Sequence, residues 1–409
     1  MSKPRFTLSD LLLWISLAGL IAAVIAPMYR SMRRSATGDF VRALAISDDG
    51  GAAAALFGDG TVRVWKTADG SLMATLQSAA GSEPSVPYHA AGISILAISA
   101  DGKTIAVALQ ARNTPASVIE VWDAANQKVV ATLAAPSHCN VALAPGGDRV
   151  AWSAPRAAGL YGPSLGVSPG VALVGSPKWL PSDCAPVFSP DGQLVALRND
   201  AGKIVLFETS TGRMQAELDI RLPPSQVSMA FSADGSKLIA MLDGMYCEFQ
   251  ADAAIRKGWD FSNSRRKSAN VVGLTFATSI ALLPGDRNLA VIDAFQTLSF
   301  IDLRTGEIRE AGAAQYLAAA RRGNVFVTSD GDRIDVWDAA EQAVRQSLWD
   351  QSSHVPRLVL FAVFLMWVVI YSHRKARKRL RPCAICGQPF VPQKKQSDVL
   401  ECEKCRRRV

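Results

Sequence analysis

Histidine is scarce in this chain. The 409 residues hold four, His89, His138, His354 and His373, none at metal-ligand spacing to another. No glycine-rich phosphate-cradling loop occurs either, which removes the common nucleotide-binding enzymes. Cysteine is sparse up to residue 382, where Cys139, Cys184 and Cys247 form an odd, scattered trio rather than a disulfide framework, with one bridge between two of them left open. Charge is thin as well: 20% of residues are charged against 49% hydrophobic, greasier than an ordinary soluble domain. Gly166-Val167-Ser168-Pro169-Gly170 has the pattern of a nucleophile elbow, but that turn needs a helix after the serine, and Pro169-Gly170 starts one poorly. Asp48, Asp49, Asp330 and Asp332 cluster at turns, where Asx hydrogen bonding explains them. Ser168 and these turn carboxylates are the weak candidates for catalysis, and the chain reads as a non-enzyme.

The charge that is present is unevenly placed. The formal net charge is +8, yet from Tyr371 onward twelve Lys/Arg face three acids, leaving 32 basic and 33 acidic side chains before that point. The basic character therefore belongs to the tail, and the body is neutral.

Two hydrophobic runs bracket that body. After a basic segment at 1–10, residues 11–29 run for nineteen residues without a charge, enough as a helix to cover most of a ~30 Å hydrocarbon core. Ser9 and Asp10 stand where an N-cap belongs. A cleaved signal peptide is the alternative, but the run is long for one and Pro27 follows the only small-residue site. The second run, Leu358–Tyr371, has fourteen residues. It reaches a span over 355–372 if Val355 and Pro356 contribute and Arg357 snorkels, the alternative being a buried helix.

Between residues 40 and 350 the chain repeats. An apolar run leads to a Ser/Asp/Gly turn, a second apolar run follows, and then comes a β-rich strand ending in an aromatic and often an acid. Clear copies pair Asp49-Gly50 with Thr61–Trp65, Asp101-Gly102 with Val118–Asp123, and Asp191-Gly192 with Ile204–Glu208; Leu298–Asp302 and Ile334–Asp338 end two more. Turns at Asp49, Asp101, Gly147, Asp191, Asp234, Asp286 and Gly323 recur 37 to 52 residues apart, bracketing the ~40–45 residues of a four-stranded propeller blade. Seven blades fit the length, and six or eight stay open. The stretch His138–Val174, rich in Gly and Pro, reads as a poorly formed blade, and Ser262–Asn270 as a polar insertion.

These copies resemble the WD-repeat family over some 310 residues. Two carry a true Trp-Asp, at Trp122-Asp123 and Trp337-Asp338; others substitute Trp65-Lys66, Phe207-Glu208 or Ile301-Asp302, and the family's Gly-His pair is missing. The resemblance implies an all-β, seven-bladed β-propeller with its His-Asp bracing network absent. Trp65, Trp122 and Trp337 are then packing residues between blades rather than ligand contacts.

The strongest chemical signal lies in the tail, 373–409. Cys383 and Cys386, then fifteen residues beginning with Gly387, then Cys402 and Cys405, match the spacing of a four-cysteine zinc site and resemble a zinc ribbon. Two residues between thiolates let one turn present both sulfurs to a tetrahedral metal, and Gly387 permits the bend. Four thiolates leave no open position, so Zn2+ here is expected to be structural and to supply the folding energy of a tail with almost no core. Iron and a redox Cys-x-x-Cys pair are the alternatives.

The chain therefore reads as a membrane-anchored β-propeller scaffold for a protein partner. Six Lys/Arg within ten residues after Tyr371, against Arg357 before the run, place the tail in the cytoplasm by the positive-inside rule. Two spans then put both termini in the cytoplasm of a bacterium and the propeller across the cell membrane. The cluster Arg374, Lys375, Arg377, Lys378, Arg379 and Arg381 suits anionic lipid. Nucleic acid fits less well, since Phe390 is the only aromatic beyond Tyr371. The rivals are a ligand sensor or enzyme using the propeller channel, and a zinc tail acting as a nucleic-acid or protein-binding module.

Overall fold

The computed structural model describes residues 38–78, 83–84, 95–110, 117–136, 139–154, 157–162, 171–172, 184–199, 203–218, 228–242, 245–251, 253–255, 258–260, 265–270, 277–350, 381–383, 386–387 and 389–390. Two compact units divide the chain, one spanning Arg33–Gln351 and the other Met1–Met32 with Ser352–Val409. Both hydrophobic runs lie outside the described residues, and among those described there is no helix, hence none to cross a membrane.

The larger unit is an all-β propeller of seven blades. Each blade is an antiparallel sheet whose strands follow one another from the inside outward; the second blade gains a fifth strand, Glu83–Pro84. The innermost strands are Val41–Ile46, Leu96–Ile98, Asn140–Leu143, Val187–Phe188, Ser228–Phe231, Ala277–Leu282 and Tyr316–Ala319. Each touches the innermost strand of the next blade, and Tyr316–Ala319 touches Val41–Ile46, so the ring is closed. No strand is exchanged at the closure, because the first blade takes all its strands from residues 41–77 and the last from 316–350.

The third strands show how the sequence builds this ring. They are Thr61–Lys66, Ser117–Asp123, Ala157–Tyr161, Ile204–Glu208, Met245–Gln250, Thr297–Asp302 and Arg333–Asp338. In every one the next-to-last residue is large and apolar: Trp65, Trp122, Leu160, Phe207, Phe249, Ile301 and Trp337. All are buried except Trp337, which is half-buried and stacks on Phe326 with ring centroids 5.5 Å apart. The apolar clusters straddle blade boundaries: one joins Phe300 of blade six to Phe326 of blade seven, another joins Val41, Ala55 and Phe57 of blade one to Ile334 of blade seven. The second strand of blade one, Ala52–Phe57, is buried along its whole length and shows no polar alternation, as a strand covered on both faces should not.

Turns between first and second strands set the spacing. Ser47 donates its hydroxyl to Asp49 Oδ1 and accepts from the Ala52 amide at 2.9 Å, while Asp49 Oδ1 accepts from the Gly51 amide at 2.8 Å. Ser99 with Asp101, Ser189 with Asp191 and Ser232 with Asp234 repeat the pattern. The glycine that follows has positive φ and abuts the preceding blade. At Gly102 (φ +74°) an added Cβ would lie 2.7 Å from the Ala52 Cβ, and at Gly147 2.7 Å from the Thr104 hydroxyl. Backbone bonds then run from turn to turn, Arg322 N to Asp48 O at 2.8 Å, Asp49 N to Ala100 O at 3.4 Å, and Ala100 N to Pro145 O at 2.9 Å.

With four strands per blade the chain ends where it began. Turns between strands one and two, and three and four, form one face, here the upper; turns between strands two and three, and the connections between blades, form the lower. The Val41 amide donates to Gly331 O at 2.9 Å, and Asp350 pairs with Arg333, so both ends of the propeller meet at one lower-face turn, residues 329–333 of blade seven.

Two sequence expectations need correction. The third blade is a complete four-stranded sheet, in which Gly159 makes room for Trp152; its Gly- and Pro-rich residues 163–170 fall outside the described residues. Arg265–Asn270 is not an insertion but the outermost strand of blade five, paired with Met245–Gln250. An outermost strand pairs along one edge only, so a polar run there does not argue against a strand. The inserted part is the stretch before it, which holds the small hairpin Ala253–Ile255 with Gly258–Asp260.

Gly306 matches Gly102 in φ (+74°) but has open space around it. Gly306→Ala is expected to cost about 1–2 kcal/mol from the left-handed backbone alone, and Gly102→Ala roughly 1–3 kcal/mol more from overpacking against Ala52. Denaturant unfolding of the two variants checks this, and equal losses would dismiss the role of close approach.

Candidate functional site

The inner wall of the ring is apolar. Among the described residues, the seven innermost strands carry one charged side chain, Arg42, whose guanidinium lies 6.0 Å from the Phe40 ring centroid. Two residues before each upper-face turn stand Ala45, Ala97, Ala142, Val187, Ala230, Ala281 and Ala318. A small residue at the same place in all seven blades suits strands that converge on a narrow axis. Sequence reading passed over this signal because it is visible only once the blades are aligned on their turns.

The turn carboxylates are committed to their own turns. Asp49 and Asp191 accept amides as described for the repeat, and Asp330 Oδ1 accepts the Asp332 and Arg333 amides at 2.9 Å. Asp48 faces Arg321 of blade seven at 3.6 Å. Where a third strand ends in Asp, that residue caps the next turn: Asp123 accepts from Ala125 and Asn126, Asp338 from Ala340 and Glu341. The Thr305 amide and the Arg287 guanidinium together hold the Asp302 carboxyl at about 2. The amides and side chains that bond Asp123 and Asp338 lower their carboxyls as well.

A denser polar group lies on the upper face at blades five and six. The Tyr246 hydroxyl donates to Glu248 Oε2 at 2.7 Å, and Lys237 Nζ stands 3.6 Å from Glu248 Oε1. Burial and the bond to Glu248 push the Tyr246 phenol up, so it stays protonated. Burial also raises Asp286, with Asp234 and Glu248 adding to it and the Ala233 amide and Lys237 opposing. No group of three His, Cys, Asp or Glu able to hold a metal occurs among the described residues. Ser168 lies outside them.

Of the four tail cysteines, two are described. Arg381–Pro382 pairs with Pro389–Phe390 as a short hairpin, with Arg381 opposite Phe390 and Pro382 opposite Pro389. Cys383 opens its turn, buried, and Cys386 is exposed; neither is in a disulfide. Gly387, at φ +68°, donates its amide to Cys383 O at 2.9 Å, closing the turn between the two thiols. A tight turn carrying two thiols two residues apart fits one half of a tetrahedral four-thiolate site. Cys402 and Cys405 lie outside the described residues.

The remaining surface features are apolar. Leu72, Met73, Val130, Met214 and Val344 are exposed on outermost strands, and Phe295 is exposed on a lower-face turn.

No family model matches the chain, and no curated protein does. Among solved structures, the β-propeller domain of Cps50 (Swd1) from Myceliophteria thermophila is similar, with a TM-score of 0.58 and 14% sequence identity over 73% of this chain and 96% of that one. At that identity the likeness concerns the fold alone, and it agrees with the seven sheets in making this chain a β-propeller of WD-repeat-like architecture.

Proposed function

We propose that the chain is a membrane-tethered, non-catalytic scaffold whose propeller holds a protein partner on its upper face. The observation that carries this reading is the meeting of both propeller ends at the lower-face turn of blade seven. The chain thus enters and leaves the propeller at its lower face, on its way from run 11–29 and to run 355–372, both read as spans. The apolar inner wall and the turn-bound carboxylates suit a rigid disc better than a reaction site. Lysine and arginine exposed on the upper face, such as Lys103 and Arg322, would contact the partner. The basic tail after Tyr371 sits against anionic lipid, and Cys383, Cys386, Cys402 and Cys405 hold one structural Zn2+.

A chain solubilised in detergent is expected to retain its partner, and the double variant Lys103→Glu/Arg322→Glu to lose it. Retention by that variant, with loss on Phe295→Ser instead, would place the partner on the wrong face and sink the reading.

Topology follows from the charge asymmetry around the second run, with both termini cytoplasmic and the propeller outside. Impermeant thiol reagent on intact cells should label Ser262→Cys and spare Ser397→Cys. The reverse pattern inverts the topology, and equal labelling removes the second span.

For the tail, metal analysis of the purified chain should find about one zinc per chain. Cys383→Ser/Cys402→Ser is expected to abolish it, whereas undiminished zinc would refute the four-cysteine assignment.

A further inference from the structure

Phe295 is the most exposed large apolar side chain among the described residues, with 77% of its surface open to solvent. It stands on the turn between the second and third strands of blade six, on the lower face. That turn is fixed rather than loose. Asp293 Oδ1 accepts the Phe295 amide at 2.9 Å and the Thr297 amide at 2.8 Å, and Asp293 O accepts the Gln296 amide at 3.0 Å. The ring is thus presented outward by a turn whose amides are already satisfied, so covering it with an apolar phase strands none of these donors.

Its neighbours tie it to the chain ends. Gln296 O accepts the Ala314 amide at 2.8 Å, and the next amide, Gln315, donates to Ser329 O at 2.7 Å. Ser329 begins the very turn at which Val41 and Asp350 meet. From Asp350 to Leu358 there are eight residue steps, a reach of roughly 29 Å at full extension. A short length of chain therefore joins the turn next to Phe295 to the second hydrophobic run.

We propose that Phe295 is an interfacial contact through which the lower face of the propeller rests on the lipid bilayer. The inference builds on the reading of the two hydrophobic runs as membrane spans. An exposed phenyl ring leaves water by burying itself at the boundary between headgroups and acyl chains. The lower face carries both signs, with Asp59 and Asp330 capping turns, Asp350 ending the last strand, and Arg63, Lys203 and Arg333 near the starts of third strands.

The test places the photoreactive p-benzoylphenylalanine at position 295 of the full chain, reconstituted in phosphatidylcholine vesicles, with the same residue at Leu72 or Val130 as controls. Irradiation should give a phospholipid adduct at 295 and none at the controls. A carbonate wash of the same vesicles separates the two readings. A chain that resists carbonate but forms no lipid adduct at 295, or forms as much at Leu72, overturns the inference while the spans stand. A chain released by carbonate overturns the spans and the inference with them.

Discussion

Close packing of the upper-face turns holds the blades at their working distance, and the turns of blades seven, one, two and three are bonded in succession through their backbones. Glycine makes that distance possible, since at Gly50, Gly102 and Gly147 a single added carbon would collide with the preceding blade. Because the approach is so close, the second strands end up covered on both sides, and small residues such as Ala52–Ala55 are what fit between neighbours. The large residues near the ends of the third strands fill the wider gaps further out. Stability of this kind is shared between neighbours, so a blade detached from the ring would expose an apolar face it cannot bury alone.

At the closure the same devices serve in place of strand exchange. Blade seven lacks the Ser-x-Asp-Gly turn and offers Arg321-Arg322-Gly323 instead; the Arg322 and Gly323 amides both bond Asp48 O, and Arg321 faces the Asp48 carboxylate. Below this, Trp349 meets Phe57 edge-on with centroids 5.0 Å apart. The seam therefore combines a charged pair, backbone bonds and an aromatic contact in place of an exchanged strand.

Much of the fold was legible because its strongest signals are local. A Ser-x-Asp-Gly turn satisfies itself within five residues, and a third strand ending in Trp-Asp carries both its packing residue and the cap of its next turn, as at Trp122-Asp123 and Trp337-Asp338. What escaped was set by neighbours rather than by the segment itself. Arg265–Asn270 is too polar to read as a strand in isolation, yet it is held by the partner beside it. The run of small residues from Ala45 to Ala318 has meaning only around the axis. In the tail, the bend expected at Gly387 is present, with φ at +68°.

Contiguous blades have a further consequence for how the chain may be cut and rejoined. Since no sheet borrows a strand from the far end of the sequence, a circular permutant opened at any connection between blades would leave every hydrogen-bonded ladder whole. Its old termini could be joined by a short linker, for they already meet beside Gly331. The blades stand around the axis in the order in which they are encoded, but the blade at which the chain begins is not fixed by the ring itself.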